Sequence, residues 1–190
     1  MDMHDPYRAP ATAAMASPVL SEATFPTDVA TYYSPPALKI AALSLTTLGI
    51  YPLYWFWRNW RAIKHETGGD QWPWARALFS PLWAYLCFSD LRDAASNHRR
   101  PLAFAPALLG AAYFLVNFSS RLPDGLWMFA LFSFVPLLPV NGLLRHYHQD
   151  KGMDMRVSDR FGVWHILVVI FGGFFLLLAL IGTLRGDGVS

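Results

Sequence analysis

The sequence predicts an all-α polytopic membrane protein with four transmembrane helices and one short re-entrant or interfacial helix. Three observations carry that expectation. Charged residues make up only 15% of the 190 residues, while apolar residues reach 54% and aromatic ones 16%. An ordinary soluble domain carries roughly a quarter charged residues, and one this small has a large surface to keep wet. Four long runs contain no Asp, Glu, Lys or Arg. Finally, tryptophans and tyrosines crowd the end of the first run and lead straight into cations, as at a membrane–water interface.

Residues 1–35 are rich in Pro, Ala, Ser and Thr and show neither helical nor strand periodicity. They read as a disordered tail. Asp2 and Asp5 at the start, and Pro10, Pro18 and Pro26 within it, do not make a secretory signal. The helical membrane domain is then expected over 36–184, with 185–190 as a short polar end.

The first run, Ile40 to Trp57, follows Pro35 and Pro36, where a helix can start. Its eighteen residues cover roughly 27 Å as helix, close to the bilayer's hydrocarbon thickness. Pro52 lacks an amide proton and should disturb the helix near Leu48 and Gly49, with the Thr46 and Thr47 hydroxyls placed to satisfy the freed backbone. The second, third and fourth spans are expected at Leu102–Phe118, Gly125–Leu144 and Phe161–Leu184. The short loop from Ser119 to Asp124 should make an antiparallel hairpin of the second and third. Gly172-Gly173 leaves a notch in the last span where another helix can approach closely.

Ala77 to Leu91 is too short for a comfortable crossing and contains Pro81 and Asp90. Positive charge arbitrates, since Lys and Arg collect on the cytoplasmic side. If this segment only dips in or lies flat, residues 58–100 and 145–160 share a face with eleven cations, leaving Arg8, Lys39, Arg121 and Arg185 opposite. If it crosses, giving five transmembrane helices, the division is nine to six. The first arrangement is the better biased, and it puts both termini outside the cytoplasm.

The rings and cations around the end of the first run form the candidate lipid interface. Tyr51, Tyr54, Trp55, Trp57 and Trp60 would sit at headgroup level, with Arg58, Arg61 and Lys64 reaching water or lipid phosphate. Trp72, Trp74 and Arg76 look like a second belt. Nucleic-acid binding also wants aromatics among cations, but it leaves eighteen uncharged residues unexplained, and a net charge of +2 creates no basic field.

The segments YPLYWFWRNWRAIK, TGGDQWPWARALFSPLWAY and FVPLLPVNGLLRHYH resemble a family of uncharacterised bacterial integral-membrane proteins carrying a membrane domain of unknown function. The resemblance spans Tyr32 to Gln149, and Asn141 stands where that pattern more often has glutamine. It implies a helical protein of the bacterial inner membrane and implies no reaction.

Candidate chemistry is sparse. His65 and Asp70 have the His-x4-Asp spacing of glycerolipid acyltransferases, in which histidine is the base and aspartate orients it; a polar loop after a span explains them as well. His146, His148 and Asp150 include donors that suit divalent ions, but positions two apart on a helix point apart, so a site would need His65 or His98. No metal or other cofactor is expected. Asn117, Asn141 and His165 are the polar groups nearest the membrane interior, where such groups are functional candidates by default. No Asp or Glu is central in any expected span, which argues against proton-coupled transport. One cysteine, Cys87, excludes an internal disulfide. The leading expectation is a non-enzymatic interaction or accessory subunit, contacting anionic lipid and either a second copy or another membrane protein. A transport or channel component and a lipid-modifying enzyme using His65 and Asp70 are the alternatives.

Overall fold

Proline and glycine punctuation cuts the apolar runs into shorter helices than their composition suggests. The computed structural model describes residues 31–96, 105–122 and 126–186, without the side chains of 126, 157, 158 and 183–186. Among the described residues the fold is all-helical, with no strand. The expected tail up to residue 30 and most of the expected C-terminal end lie outside them.

The first expected span is not one helix. Helix α1 (Ala37–Thr46) stops at a reversal in which Leu48 (φ 51°) and Gly49 (φ 87°) both take left-handed backbone, and α2 (Tyr51–Thr67) starts with Pro52 in its first turn. Pro52 has no amide to continue the ladder, so the chain turns where its i−4 partner lies. Thr47 satisfies both sides of the break: its hydroxyl donates to Leu43 O at 2.6 Å and accepts from Tyr51 N at 2.9 Å.

Helix α2 runs well past the last apolar residue because its buried positions continue: Trp55, Phe56, Asn59, Trp60 and Ile63 recur at the three-and-four spacing of one helical face. Phe56 lies at the centre of an aromatic cluster, its ring 5.1 Å from that of Tyr113, 5.3 Å from Trp55 and 5.6 Å from Phe88. Gly68 (φ 63°) closes α2 in the left-handed conformation that favours glycine.

A short helix α3 (Pro73–Leu78) leads into α4 (Ser80–Ser96), so the expected re-entrant segment is a seventeen-residue helix. It buries Ala84, Cys87, Phe88, Leu91 and Ala95 and leaves Leu82, Tyr85 and Leu86 exposed. Helix α5 (Pro106–Phe118) crosses it closely; residues 102–104 of the expected span lie outside the described residues. At the crossing, a Cβ on Gly110 would stand 3.0 Å from Tyr85 N, Cα and Cβ. Gly110→Ala is therefore expected to push α4 and α5 apart and to destabilise the protein by about 1–3 kcal/mol, the usual range for overpacking. A thermal melt in detergent reads this, and an unchanged melting temperature refutes the close crossing.

Past a single 3-10 turn (Ser119–Arg121), a second 3-10 segment (Leu126–Phe132) and four turn residues lead into α6 (Leu137–Asp150). A short α7 (Arg156–Asp159) precedes α8 (Val163–Gly186). Helix α8 packs against α1, and the Gly172 notch is filled by the end of that helix: a Cβ there would fall on the Thr46 carbonyl, 2.7 Å from its carbon.

Among the described residues, two stretches, not four or five, are long and apolar enough to cross a membrane: Trp127–Asp150, half of whose apolar window is buried, and Val163–Gly182, none of whose window is buried. The shortfall has physical causes. The reversal at Leu48–Gly49 splits the first run, and α5 has thirteen described residues, about 20 Å of helix.

Residues 31–35, which composition assigns to the tail, pack into the fold. Tyr32, Ser34 and Pro35 are buried. Polar side chains of two helices hold this strap by its backbone. Asn59 accepts from Tyr33 N at 3.0 Å and donates to Tyr33 O at 3.2 Å. Asn141 donates to Pro35 O at 2.7 Å and Arg145 to Ser34 O at 3.0 Å.

Candidate functional site

The last turns of α2 and the Pro73 turn build one side of the molecule. Because α2 buries its Trp55–Trp60–Ile63 face, the positions one step round (Trp57, Arg61, Lys64) stay partly exposed along a single stripe. Gly68 and Gly69 reverse the chain, and Pro73 starts α3 so that Trp74 returns towards Trp57. The result is a cleft of about 580 Å³ lined by Trp57, Arg61, Lys64, His65 and Trp74, with both glycines and Pro73 completing it. The guanidinium of Arg61 lies 4.9 Å from the Trp57 ring centre. Among the described residues, no carboxylate pairs with Arg61, Lys64 or His65.

The proposed aromatic belt divides in two. Tyr54, Trp72 and Trp74 are exposed and Trp57 is half-buried, as an interface position requires. Trp55 and Trp60 are fully buried and Tyr51 nearly so: they are core rings, not interface rings. Ring density alone does not separate the two roles. The helical face does, since Trp55 and Trp60 share a stripe with Phe56, Asn59 and Ile63. Arg76 is likewise turned inward, 4.5 Å from the Trp60 ring and 4.8 Å from that of Trp83, with Nη1 donating to Gln71 at 2.8 Å. Arg58 lies 5.3 Å from the Tyr33 ring, against the strap.

The three polar candidates Asn117, Asn141 and His165 are engaged separately. Asn117 donates to Tyr113 O at 2.8 Å, one turn back on its own helix. Asn141 is buried, accepting from Trp55 Nε1 at 3.2 Å while it holds Pro35. His165 Nδ1 accepts from Gly162 N at 3.2 Å at the start of α8. No hydrogen bond joins any two of them among the described residues.

His65 and Asp70 are both exposed and no hydrogen bond links them. His146 and His148 diverge. The first is exposed beside Gln149; the second is buried, its Nδ1 2.8 Å from Ser34 Oγ and its Nε2 without a partner among the described residues. Among those residues, no group of three His, Cys, Asp or Glu side chains could hold a metal ion.

Sequence reasoning missed the strap and its clamps: Tyr33, Ser34, Asn59, Arg145 and His148. The one signal present was the Tyr32-Tyr33 pair, the first adjacent aromatics in a stretch otherwise low in apolar bulk. It also missed Lys39, buried with its ammonium donating to Arg160 O at 2.9 Å. Asp159 accepts from Arg145 Nη1 at 2.7 Å and Nη2 at 3.1 Å, and that bidentate bond holds its carboxyl below the usual carboxylate range.

Among the described residues, fold and site together define an all-helical architecture with two stretches long and apolar enough to cross a membrane and a basic, indole-lined cleft. No protein-family model matches the chain, and no curated protein or solved structure does either.

Proposed function

We propose that the chain is a multi-pass protein of a bacterial inner membrane, serving there as a non-enzymatic interaction or accessory subunit that contacts anionic lipid and partner helices. The observation that carries this reading is α8. Over Val163–Gly182 no position of its apolar window is buried, and Trp164, Ile170, Phe171, Phe174, Phe175 and Leu177 stand more than half exposed. Water does not tolerate a patch of that size on a stable monomer, whereas lipid or another helix does. Leu82 and Tyr85 on α4 and Leu108 and Leu115 on α5 continue the apolar exterior. In this reading α8 and Trp127–Asp150 cross; the four cations of 145–160 lie between them and the other eleven on the opposite face, which the positive-inside bias makes cytoplasmic, the reverse of the orientation expected from four spans.

The four-span topology becomes two full crossings with shorter helices inserted beside them. The resemblance of the three aromatic motifs to inner-membrane proteins of unknown function points the same way. The lipid-modifying alternative requires exposed His65 and Asp70 to close on each other, so His65→Ala separates it from the accessory reading.

The test is cellular and biochemical. Expressed in a bacterium, the full chain is expected to stay in the membrane pellet after an alkaline carbonate wash and to need detergent for a monodisperse state. In a Cys87→Ala background, single cysteines at the exposed positions 66 and 96 should escape an impermeant thiol reagent added outside the cell, while one at 150, beyond the first crossing, should be labelled. A folded, monodisperse protein in plain buffer would sink the membrane reading; labelling of 66 and 96 but not 150 would reverse the orientation.

A further inference from the structure

We infer that the cleft between the end of α2 and the start of α3 is a binding site for a phosphate group, with the two indoles framing whatever the phosphate carries. The inference deepens the lipid-contact reading above and rests on it only for the source of the phosphate. Three cationic or protonatable side chains, Arg61, Lys64 and His65, converge on one cleft with no carboxylate partner of their own. A surface charge commonly finds an opposite charge nearby; here the nearest acids in sequence do not supply it. The carboxylate of Glu66 accepts from the Tyr32 hydroxyl, and Asp70 is exposed and outside the lining.

Backbone adds to side chains. Thr67 is helical and Gly68 left-handed, the αR–αL pairing that turns successive amides to one side as an anion-binding concavity. The Gly69 amide, clear of the helix, makes no backbone hydrogen bond among the described residues. Both glycines line the cleft, and a Cβ at Gly68 would meet nothing within 4 Å, so the approach is open. One effect opposes an anion here: the C-terminal end of α2 carries about half a negative charge. Arg61 and Lys64 bring two full positive charges against it, and the anion wins. Trp57 and Trp74 then offer apolar faces beside the charged floor, the combination a lipid headgroup with its glycerol uses at an interface.

The experiment follows binding through tryptophan fluorescence, on full-length protein in a non-ionic detergent. Short-chain dihexanoylphosphatidylglycerol and inorganic phosphate are titrated separately. Saturable binding of either is expected, weakened about a hundred-fold in Arg61→Gln/Lys64→Gln, since each charge-assisted contact to a phosphate is worth of order a ten-fold change. Lys64→Gln alone should weaken it about ten-fold; among the described residues Lys64 has no ion-pair partner to lose, so the fold is not at stake. Arg121→Gln, the cation of a separate apolar groove along α4 and α5, should change nothing. Tighter binding of the lipid than of inorganic phosphate identifies a headgroup as the source, and equal binding identifies free phosphate. Unaltered binding in the double variant, an equal loss in Arg121→Gln, or no binding of either probe overturns the site. None of those results touches the detergent requirement, so the membrane reading fails or stands separately.

Discussion

Gly172→Ala is expected to melt the purified protein several degrees below wild type, while Gly173→Ala, one residue along the same helix, should leave it unchanged. The contrast follows from where each added methyl would go. At 172 it falls on the Thr46 carbonyl, 2.7 Å from the carbonyl carbon and 3.0 Å from Thr46 Cβ. The carbonyl belongs to backbone at the end of α1, so no rotamer change clears it, and one helix must move away from the other. At 173 the nearest atom is Thr46 Cγ2 at 3.9 Å, an ordinary contact. Overpacking of this kind costs about 1–3 kcal/mol, which for a domain of this size corresponds to roughly 2–10 °C. In the proposed membrane setting the effect is not softened by water exclusion, because close packing is itself what holds apolar helices together in lipid. Helix α8 has few other attachments, so the variant also predicts a structural readout. A disulfide between cysteines introduced at Thr46 and Gly173, in a Cys87→Ala background, should form readily and do so much more slowly once Gly172 is Ala. Equal melting of the two alanine variants would refute the α1–α8 approach.

That Gly172-Gly173 marks a helix contact was legible from spelling alone, because two small residues in an otherwise bulky run leave a groove whatever the neighbour. The break in the first run was legible for the same reason: Pro52 and Gly49 restrict or free the backbone locally, and local rules survive folding. What the sequence did not show is which apolar residues face inward. Trp55, Trp57 and Trp60 are chemically alike and lie within six residues, yet the first and third are core and the second lines a cleft. Their assignment depends on the face that α4 and α6 happen to cover, which is tertiary information. Hydropathy also overcounted spans, since a run of uncharged residues measures solubility in lipid and says nothing about where the helix turns. The strap around Tyr33 and Ser34 was hidden for a different reason. Its partners are 26 to 114 residues away, and a Pro- and Ser-rich segment satisfied by distant side chains has the same composition as one satisfied by water.

Asn141→Leu is expected to cost more than any other single substitution that preserves side-chain volume. The amide lies fully inside, its oxygen accepting from the Trp55 indole and its nitrogen donating to the Pro35 carbonyl. Leucine fills the same space, so the loss is not a cavity; it is an indole N–H and a carbonyl left buried without partners. Each such group costs about 1–3 kcal/mol, hence roughly 2–6 kcal/mol for the pair. The strap should loosen at Pro35 even though Asn59, Arg145 and His148 still hold Tyr33 and Ser34, and faster hydrogen exchange over residues 32–40 would report it. A cycle with Trp55→Phe divides the two contributions: in that background the indole has nothing to lose, so Asn141→Leu should cost measurably less, with the difference belonging to the indole–amide bond. Additive costs would mean that the bond contributes nothing. The same substitution is the natural probe of a transport path through Asn141, and the two roles separate cleanly. A conducting amide lost to leucine abolishes flux at unchanged stability, whereas a structural clamp lowers stability whether or not anything is carried.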